Sequence, residues 1–240
     1  MNDDNRDPLL LTPGPLTTSA ETKQAMLHDW GSRDQSFIDA TQNVRDALVD
    51  VSGGGDAFTA VPVQGSGTFA VEAMVGTFLP KDRKLLIVVN GAYGHRIAKI
   101  CDYMARRYTV LETPEDTPPD VGAISRTLAD DPDISHVVVI HCETTSGILN
   151  PVEDIAAVVA AANRRLLIDA MSAFGAIPLD LSRIPCDAVA ASSNKCFEGV
   201  PGMGFVLCRK AALEETKGNA HSLSLDLFDQ WHAMEINGQW

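Results

Sequence analysis

Four apolar runs, separated by stretches with helical patterning, restrict the fold of this chain more than any other feature. The runs begin at Lys84, His136, Leu166 and Ala188. A strand that is apolar at nearly every position must be covered on both of its faces, which is typical of parallel sheets. Strands that alternate with helices along a chain build such a sheet. We therefore predict an α/β fold with a mostly parallel seven-stranded sheet and helices on both faces.

The same patterning places the individual elements. We predict strands at residues 59–63, 84–90, 108–111, 136–141, 166–172, 188–192 and 204–208. We predict helices at residues 18–28, 69–75, 94–106, 121–129 and 151–162, and one that begins at Ser36 or Asp39 and stops at the glycines 53–55. The last two strands are close in sequence across a glycine-rich turn, which allows them to pair antiparallel.

Composition excludes several classes of function. The chain has 240 residues and a formal net charge of −13, whereas nucleic-acid binding needs a basic face. Its five cysteines are widely spaced and form no CxxC pair, so we expect neither a metal site nor a disulfide framework. A reducing cytoplasm fits this cysteine usage. No apolar run reaches membrane-spanning length, and residues 1–7 contain no apolar segment of a secretory signal.

A single lysine stands among hydroxyl and amide side chains just after the run that begins at Ala188. Lys195 follows Ser192, Ser193 and Asn194. Most lysines are solvated, so a surface lysine in a polar loop is the simplest interpretation. A lysine amine that its strand keeps from water is instead more readily neutral and nucleophilic, as Schiff-base chemistry requires. The residues that follow the other strands bear on this choice.

Polar groups also follow the other predicted strands. Asp169 lies near the end of the run that begins at Leu166, and a buried carboxylate needs a partner; a helix cap or a pair with Arg183 is the alternative to a function. Tyr93 and Thr144 each follow a strand, at the sheet edge where ligands bind in open α/β folds. Tyr93 can equally be an aromatic anchor for its helix.

A glycine-rich turn precedes the predicted helix 69–75. Ser66, Gly67 and Thr68 place free backbone N–H groups and two hydroxyls at a helix start, where the helix dipole favours an anion. The turn has neither the lysine of a Walker loop nor the third glycine of a dinucleotide-binding motif. Taken alone, it is as often just a tight turn.

Taken together, these groups match the needs of one cofactor. An anion cradle, a flat aromatic side chain, hydroxyls, a buried carboxylate and a nucleophilic lysine suit a phosphorylated aldehyde with a basic ring nitrogen. That description fits pyridoxal 5'-phosphate, whose ring acts as an electron sink when its nitrogen is protonated. The sequence therefore predicts a pyridoxal-phosphate enzyme with Lys195 and Asp169 as its catalytic residues.

At these positions the chain resembles the class V aminotransferases of fold type I. The resemblance runs from Leu10 to Trp240. Its markers are LLTPGP (10–15), QGSGTFAVEA (64–73), NGAYGHR (90–96), CETTSG (142–147), IDAMSAFGAIP (168–178) and SSNKCFEGVPGMGFV (192–206). The last marker is most similar to the branch that acts on 2-aminoethylphosphonate and differs from the alanine–glyoxylate and serine–pyruvate branches.

The resemblance implies a role for each candidate residue. Lys195 would bond to the cofactor aldehyde, Asp169 would pair with the ring nitrogen, and Tyr93 would stack on the ring. Gly14 would lie beside the substrate. The remaining implied cofactor contacts are Ser66, Gly67 and Thr68, Thr144 at the ring hydroxyl, Met171, Ser193 and Asn194. No metal is implied.

The resemblance also implies an activity and an organisation. The expected reaction transfers an amino group from 2-aminoethylphosphonate to pyruvate, giving phosphonoacetaldehyde and L-alanine, in a cytoplasmic homodimer that degrades phosphonates. We expect an N-terminal arm (residues 1–20), a cofactor-binding large domain (residues 21–240) and no C-terminal small domain. Members of the family carry a substrate-binding arginine in that small domain. The alternatives are another class V aminotransferase, of alanine–glyoxylate or serine–pyruvate type, or an inactive cofactor-binding remnant.

Overall fold

A seven-stranded sheet organises the computed structural model, which describes residues 7–240. The strands are β1 (Phe58–Gln64), β2 (Lys84–Val89), β3 (Arg107–Glu112), β4 (Ile134–Ile140), β5 (Arg165–Asp169), β6 (Ala188–Ser192) and β7 (Met203–Arg209). Their order across the sheet is β1-β7-β6-β5-β4-β2-β3. Residues 1–6 lie outside the described residues. They include the start of the predicted N-terminal arm and most of the segment in which the sequence shows no secretory signal.

Six of the seven strands run in the same direction. Strands β3, β2, β4, β5 and β6 pair in parallel, and only β7 is reversed, between β6 and β1. The predicted antiparallel pairing of the last two strands is confirmed. The carboxyl ends of β1, β2, β4, β5 and β6 therefore meet at one edge of the sheet, which we call the carboxyl edge.

The helices form a layer on each face of the sheet. They are α1 (Ala20–Ala25), α2 (Gln35–Ser52), α3 (Gly67–Phe78), α4 (Ala92–Tyr103), α5 (Val121–Asp130), α6 (Val152–Ala161), α7 (Lys210–Glu214) and α8 (Leu227–Asn237). Two 3-10 turns, Gly55–Ala57 and Leu223–Leu225, complete the described chain.

Alternate residues of a strand feed two separate cores. Leu85 and Ile87 of β2 pack with α3, α4 and α8, whereas Leu86 and Val88 pack with α2, α5 and α6. This arrangement follows from the two-residue period of a strand, which sends successive side chains to opposite faces. The predicted α/β fold with helices on both faces is thus confirmed.

Local signals set several helix ends. The Ser19 hydroxyl accepts a hydrogen bond from the Thr22 backbone N–H at 3.1 Å and begins α1. Gly53 ends α2 with a left-handed φ of 68°, which glycine adopts without steric cost. The predicted start of α2 at Ser36 or Asp39 was wrong by one residue or more, because Asp34 is its N-cap.

The sequence predicts no element beyond residue 208, where the structure has two helices. Asp226 caps α8 by accepting from the backbone N–H groups of Phe228 and Asp229. The buried residues Leu227, Trp231 and Met234 form its inner stripe at helical spacing. At its outer end, Glu235 pairs with the buried guanidinium of Arg45, which also donates to the carbonyl of Ala60 at 3.0 Å. The helix is thus tied to β1.

Within residues 7–240, every helix is too short or too polar to cross a lipid bilayer.

Candidate active site at the carboxyl edge

The loop that carries Lys195 leaves the sheet at the end of β6. The Ser192 hydroxyl donates to the side-chain oxygen of Asn194 at 2.9 Å. The backbone N–H of Ser193 donates to the carbonyl of Met203 at 3.0 Å, and that of Gly199 donates to Ser193 at 2.8 Å. These bonds close the loop on itself and on β7. Lys195 is half-buried, and not fully buried as the sequence suggested, because it sits in this loop beyond the last paired residue of β6.

The N-terminal turn packs against the same loop. The backbone N–H of Leu16 donates to the carbonyl of Asn194 at 3.2 Å, and the Thr18 hydroxyl donates to Gly199 at 3.3 Å. A Cβ built on Gly14 would overlap Lys195 Cδ and would lie 2.9 Å from Cε and 3.0 Å from Nζ. Gly14 also has a φ of +150°. Only glycine therefore lets the backbone approach the lysine amine this closely.

Asp169 is the last residue of β5, and its side chain is buried with 3% exposure. Its Oδ1 accepts a hydrogen bond from the backbone N–H of Met171 at 2.9 Å. The pKa of Asp169 is raised to about 6, mainly by burial and to a smaller extent by the charge of Glu143. The Met171 N–H, Lys195 and Arg96 act in the opposite direction. A pair with Arg183, the alternative considered from sequence, is not formed among residues 7–240.

The N-terminus of α3 faces the same region. Ser66 is the N-cap in an extended conformation, and its carbonyl accepts the backbone N–H groups of Phe69 at 2.9 Å and Ala70 at 3.4 Å. Within the described chain its hydroxyl makes no capping hydrogen bond. A Cβ on Gly67 would meet Met171, with Cε at 2.8 Å, so Met171 forms the wall behind this helix end.

Tyr93 and Arg96, on the first turns of α4, form another wall. The guanidinium carbon of Arg96 lies 4.7 Å from the centre of the Tyr93 ring. Its Nη1 donates to the Thr68 hydroxyl at 3.4 Å, which joins α4 to the start of α3. A guanidinium over an aromatic face is a favourable arrangement that also fixes the ring's orientation.

These groups enclose a cavity of about 220 Å³. The candidate residues from the sequence that line it are Ser66, Gly67, Thr68, Tyr93, Asp169, Met171, Asn194 and Lys195. Its other lining residues are Val71, Arg96, Ile97, Ile100 and Ser192. The fold thus brings the ends of β1, β2, β5 and β6 to one space, although the residues come from all parts of the chain.

Three candidate residues do not line this cavity. Gly14 lies behind the lysine side chain, as described above. The Ser193 hydroxyl donates to the carbonyls of Val200 at 2.7 Å and Met203 at 3.0 Å, so it points into its own loop. Thr144 is half-buried in the loop after β4.

Sequence reasoning missed three side chains here. Ser192 lines the cavity in place of Ser193, and Arg96 lines it from one turn beyond Tyr93. The spacing of three residues on one helix face was the available signal for Arg96. Glu143 is fully buried, and its Oε1 accepts from the N–H and the hydroxyl of Thr145, both at 3.2 Å. Sequence spacing carried no signal for a second carboxylate beside Asp169.

Comparisons with known proteins bear on this site. The family model for class-V aminotransferases matches residues 19–226. The 2-aminoethylphosphonate–pyruvate transaminase of Pseudomonas fluorescens (strain Pf0-1) is 54% identical over 233 residues, which is 97% of this chain and 63% of the relative. The enzyme of the same name from Pseudomonas aeruginosa (strain PAO1) is 55% identical over 240 residues, which is 100% of this chain and 65% of the relative. The chain therefore spans just under two thirds of the length of these relatives.

A solved structure supports the fold. Ureidoglycine–glyoxylate aminotransferase from Bacillus subtilis superposes with a TM-score of 0.88 at 20% sequence identity, over 98% of this chain and 63% of that one. This likeness confirms the fold-type I architecture. With the family model matching most of the chain, it follows that the chain belongs to the class-V aminotransferase family.

Proposed function

We propose that this chain is the cofactor-binding, lysine-bearing part of a 2-aminoethylphosphonate–pyruvate transaminase that works with pyridoxal 5'-phosphate. The reaction moves the amino group of 2-aminoethylphosphonate to pyruvate and yields phosphonoacetaldehyde and L-alanine. One observation carries the proposal. A single cavity holds Lys195, the buried Asp169 and the start of α3, in a chain 54–55% identical to relatives of that name.

The donors and acceptors around the cavity fit this cofactor. The start of α3 offers backbone N–H groups and the hydroxyls of Ser66 and Thr68, which suit a phosphate. Asp169 offers a buried carboxylate, which suits a protonated ring nitrogen. Tyr93 offers an aromatic face for the ring. The residues that we propose hold the cofactor are Ser66, Gly67, Thr68, Tyr93, Asp169, Met171, Asn194 and Lys195. Contacts from Thr144 and Ser193, and a homodimer, stay predictions.

Each polar side chain then has a chemical task. When bound, pyridoxal phosphate supplies an aldehyde carbon that bonds to amines and a ring that accepts an electron pair. The Nζ of Lys195 is the nucleophile for that carbon when it is neutral. With the cofactor and substrate bound, Nζ would act as the base that accepts a proton from the substrate carbon bearing the amino group, and it would deliver that proton to the cofactor carbon that had carried the aldehyde. Asp169 would favour a proton on the ring nitrogen, because a buried carboxylate favours a positive partner.

The visible absorption spectrum of the purified chain tests this proposal. With pyridoxal phosphate we expect a band of the lysine-bound cofactor, and we expect 2-aminoethylphosphonate to bleach it. L-alanine should act in the same way, because the reaction is reversible, whereas a serine or glycine preference would favour another branch of the family. A band that no amine bleaches would reduce the proposal to cofactor binding. No band at any cofactor concentration would contradict it.

A further inference from the structure

Three charged side chains of the described residues line the cavity, and the proposed chemistry uses Asp169 and Lys195. The third, Arg96, has no task in that chemistry. It lies on α4, three residues after Tyr93, and its guanidinium is held by two contacts. The ring of Tyr93 lies beneath it, and the Thr68 hydroxyl accepts from Nη1 at 3.4 Å. Thr68 is the second residue of α3. The guanidinium therefore sits directly beside the helix start that suits a phosphate.

The charges around the cavity leave this guanidinium available. Of the lining residues, Arg96 and Lys195 are cationic and Asp169 is anionic. Among residues 7–240, Arg96 forms no ion pair, while the chain as a whole carries a net charge of −13. Lys195 is needed at the aldehyde of the cofactor. The guanidinium of Arg96 is planar, and its N–H donors match pairs of phosphate oxygens. It is therefore suited to the phosphate group of the cofactor.

We infer that Arg96 binds the phosphate group of the cofactor. This inference rests on the proposed function, since it concerns the same cavity. It adds a charged anchor on α4 to the uncharged donors on α3. The cofactor would thus be held by two helices whose starts are joined by a single side chain.

The acidic group of the substrate is the rival partner for Arg96. The geometry favours the cofactor, because the Thr68 hydroxyl that Arg96 contacts belongs to the anion cradle itself. The family resemblance instead places the substrate beside Gly14, whose backbone lies against the Lys195 side chain. The two partners predict different binding results, so one experiment separates them.

The experiment compares pyridoxal 5'-phosphate with pyridoxal, which has the same ring and aldehyde and no phosphate. Dissociation constants for both are measured by absorption titration of the full chain and of the Arg96→Gln, Arg96→Lys and Lys99→Gln variants. Lys99 lies on the same helix and is absent from the cavity lining, so its variant is the matched control for loss of one charge.

We expect Arg96→Gln to raise the dissociation constant for pyridoxal 5'-phosphate about tenfold, as is typical for a partly exposed charge-assisted hydrogen bond. The value for pyridoxal should stay unchanged, which also shows that the variant is folded. The dissociation constant of Arg96→Lys for pyridoxal 5'-phosphate should lie between those of the parent chain and Arg96→Gln. That of Lys99→Gln should equal the value of the parent chain.

Two results would overturn the inference. Equal losses for both ligands in Arg96→Gln would mean that Arg96 only supports Tyr93. Unchanged cofactor binding, with more 2-aminoethylphosphonate needed to bleach the band, would assign Arg96 to the substrate. If the parent chain itself binds neither ligand, the proposed function fails first, and that outcome is distinct from both.

Discussion

Charged side chains are paired within the chain at one edge of the sheet and are left without ionic partners in the site at the other. At the edge opposite the carboxyl edge, formed by the amino ends of the parallel strands and called the amino edge here, strands β2, β3 and β5 each begin with a basic residue that pairs with an aspartate before β4 or β6. The pairs are Lys84–Asp131 at 2.6 Å, Arg107–Asp133 at 3.0 Å and Arg165–Asp187 at 3.2 Å. Each pair matches a positive charge with a negative one within the chain.

At the carboxyl edge the charges of the site are left without ionic partners. Asp169, Lys195 and Arg96 form no ion pair within residues 7–240, although all three line one cavity. An unpaired charge near the protein interior costs free energy, so it persists where a ligand completes it. The comparison therefore separates charges that are paired within the chain from charges that the proposed cofactor would pair.

The largest difference between the two edges is expected when one lysine is removed from each and covalent attachment of the cofactor is measured. Lys195→Ala should abolish covalent attachment of pyridoxal phosphate, because no other lysine of residues 7–240 lines the cavity. Lys84→Ala should leave attachment intact, because Lys84 serves only its pair with Asp131. Mass spectrometry of the borohydride-reduced proteins measures both. A stoichiometric adduct on Lys195→Ala would refute the assignment of the site.

Gly14→Ala should have a smaller and more specific effect. The new methyl group would overlap the Lys195 side chain, so we expect attachment of the cofactor to slow by up to about a hundredfold, the order of effect that a displacement of about 1 Å produces at a reacting group. The rate is followed at the absorption band of the lysine-bound cofactor.

Gly218→Ala is the matched control for this change. Gly218 also has a positive φ, of 82°, but a Cβ there meets no atom within 4 Å among the described residues. It therefore carries the backbone strain of the substitution without the clash. Equal rates for the two variants would show that the approach of Gly14 to Lys195 does not matter.

The sequence predicted the sheet well because the signals were local. Each apolar run gives a covered strand, and Lys195 and Asp169 stand out because they follow such runs. The position of Gly14 beside Lys195 was different. The two residues are far apart in the chain, so only the family resemblance pointed to that region, and only the folded chain shows the contact.

Side-chain direction explains why Ser192 lines the cavity and Ser193 does not. Ser192 and Ser193 are neighbours at the end of β6, and successive side chains leave a strand on opposite sides. The side chain of Ser192 therefore lines the cavity. The hydroxyl of Ser193 instead donates to the carbonyls of Val200 and Met203 within its own loop. Sequence alone sets no such direction at the point where a strand becomes a loop.

The smallest expected effect is a pH dependence of stability that belongs to Asp169. Its pKa is raised to about 6 by burial, so between about pH 4 and pH 6 the folded chain binds a proton that the unfolded chain has lost. Stability from this group is therefore present at low pH and lost as pH rises through that window. From pH 5 to pH 7 the loss is about 1 kcal/mol.

Asp169→Asn should remove this loss, because the amide does not titrate and its oxygen can still accept from the Met171 N–H. Urea unfolding of both proteins at pH 5 and pH 7 measures the difference. If the free energy of unfolding changed equally between pH 5 and pH 7 in both proteins, the ionised carboxylate of Asp169 would not be destabilised by its site. Saturating pyridoxal phosphate should then abolish the difference in the parent chain, because a protonated ring nitrogen beside Asp169 favours its ionised form. The pairs of the amino edge should show no such response to the cofactor, since their charges are already matched within the chain.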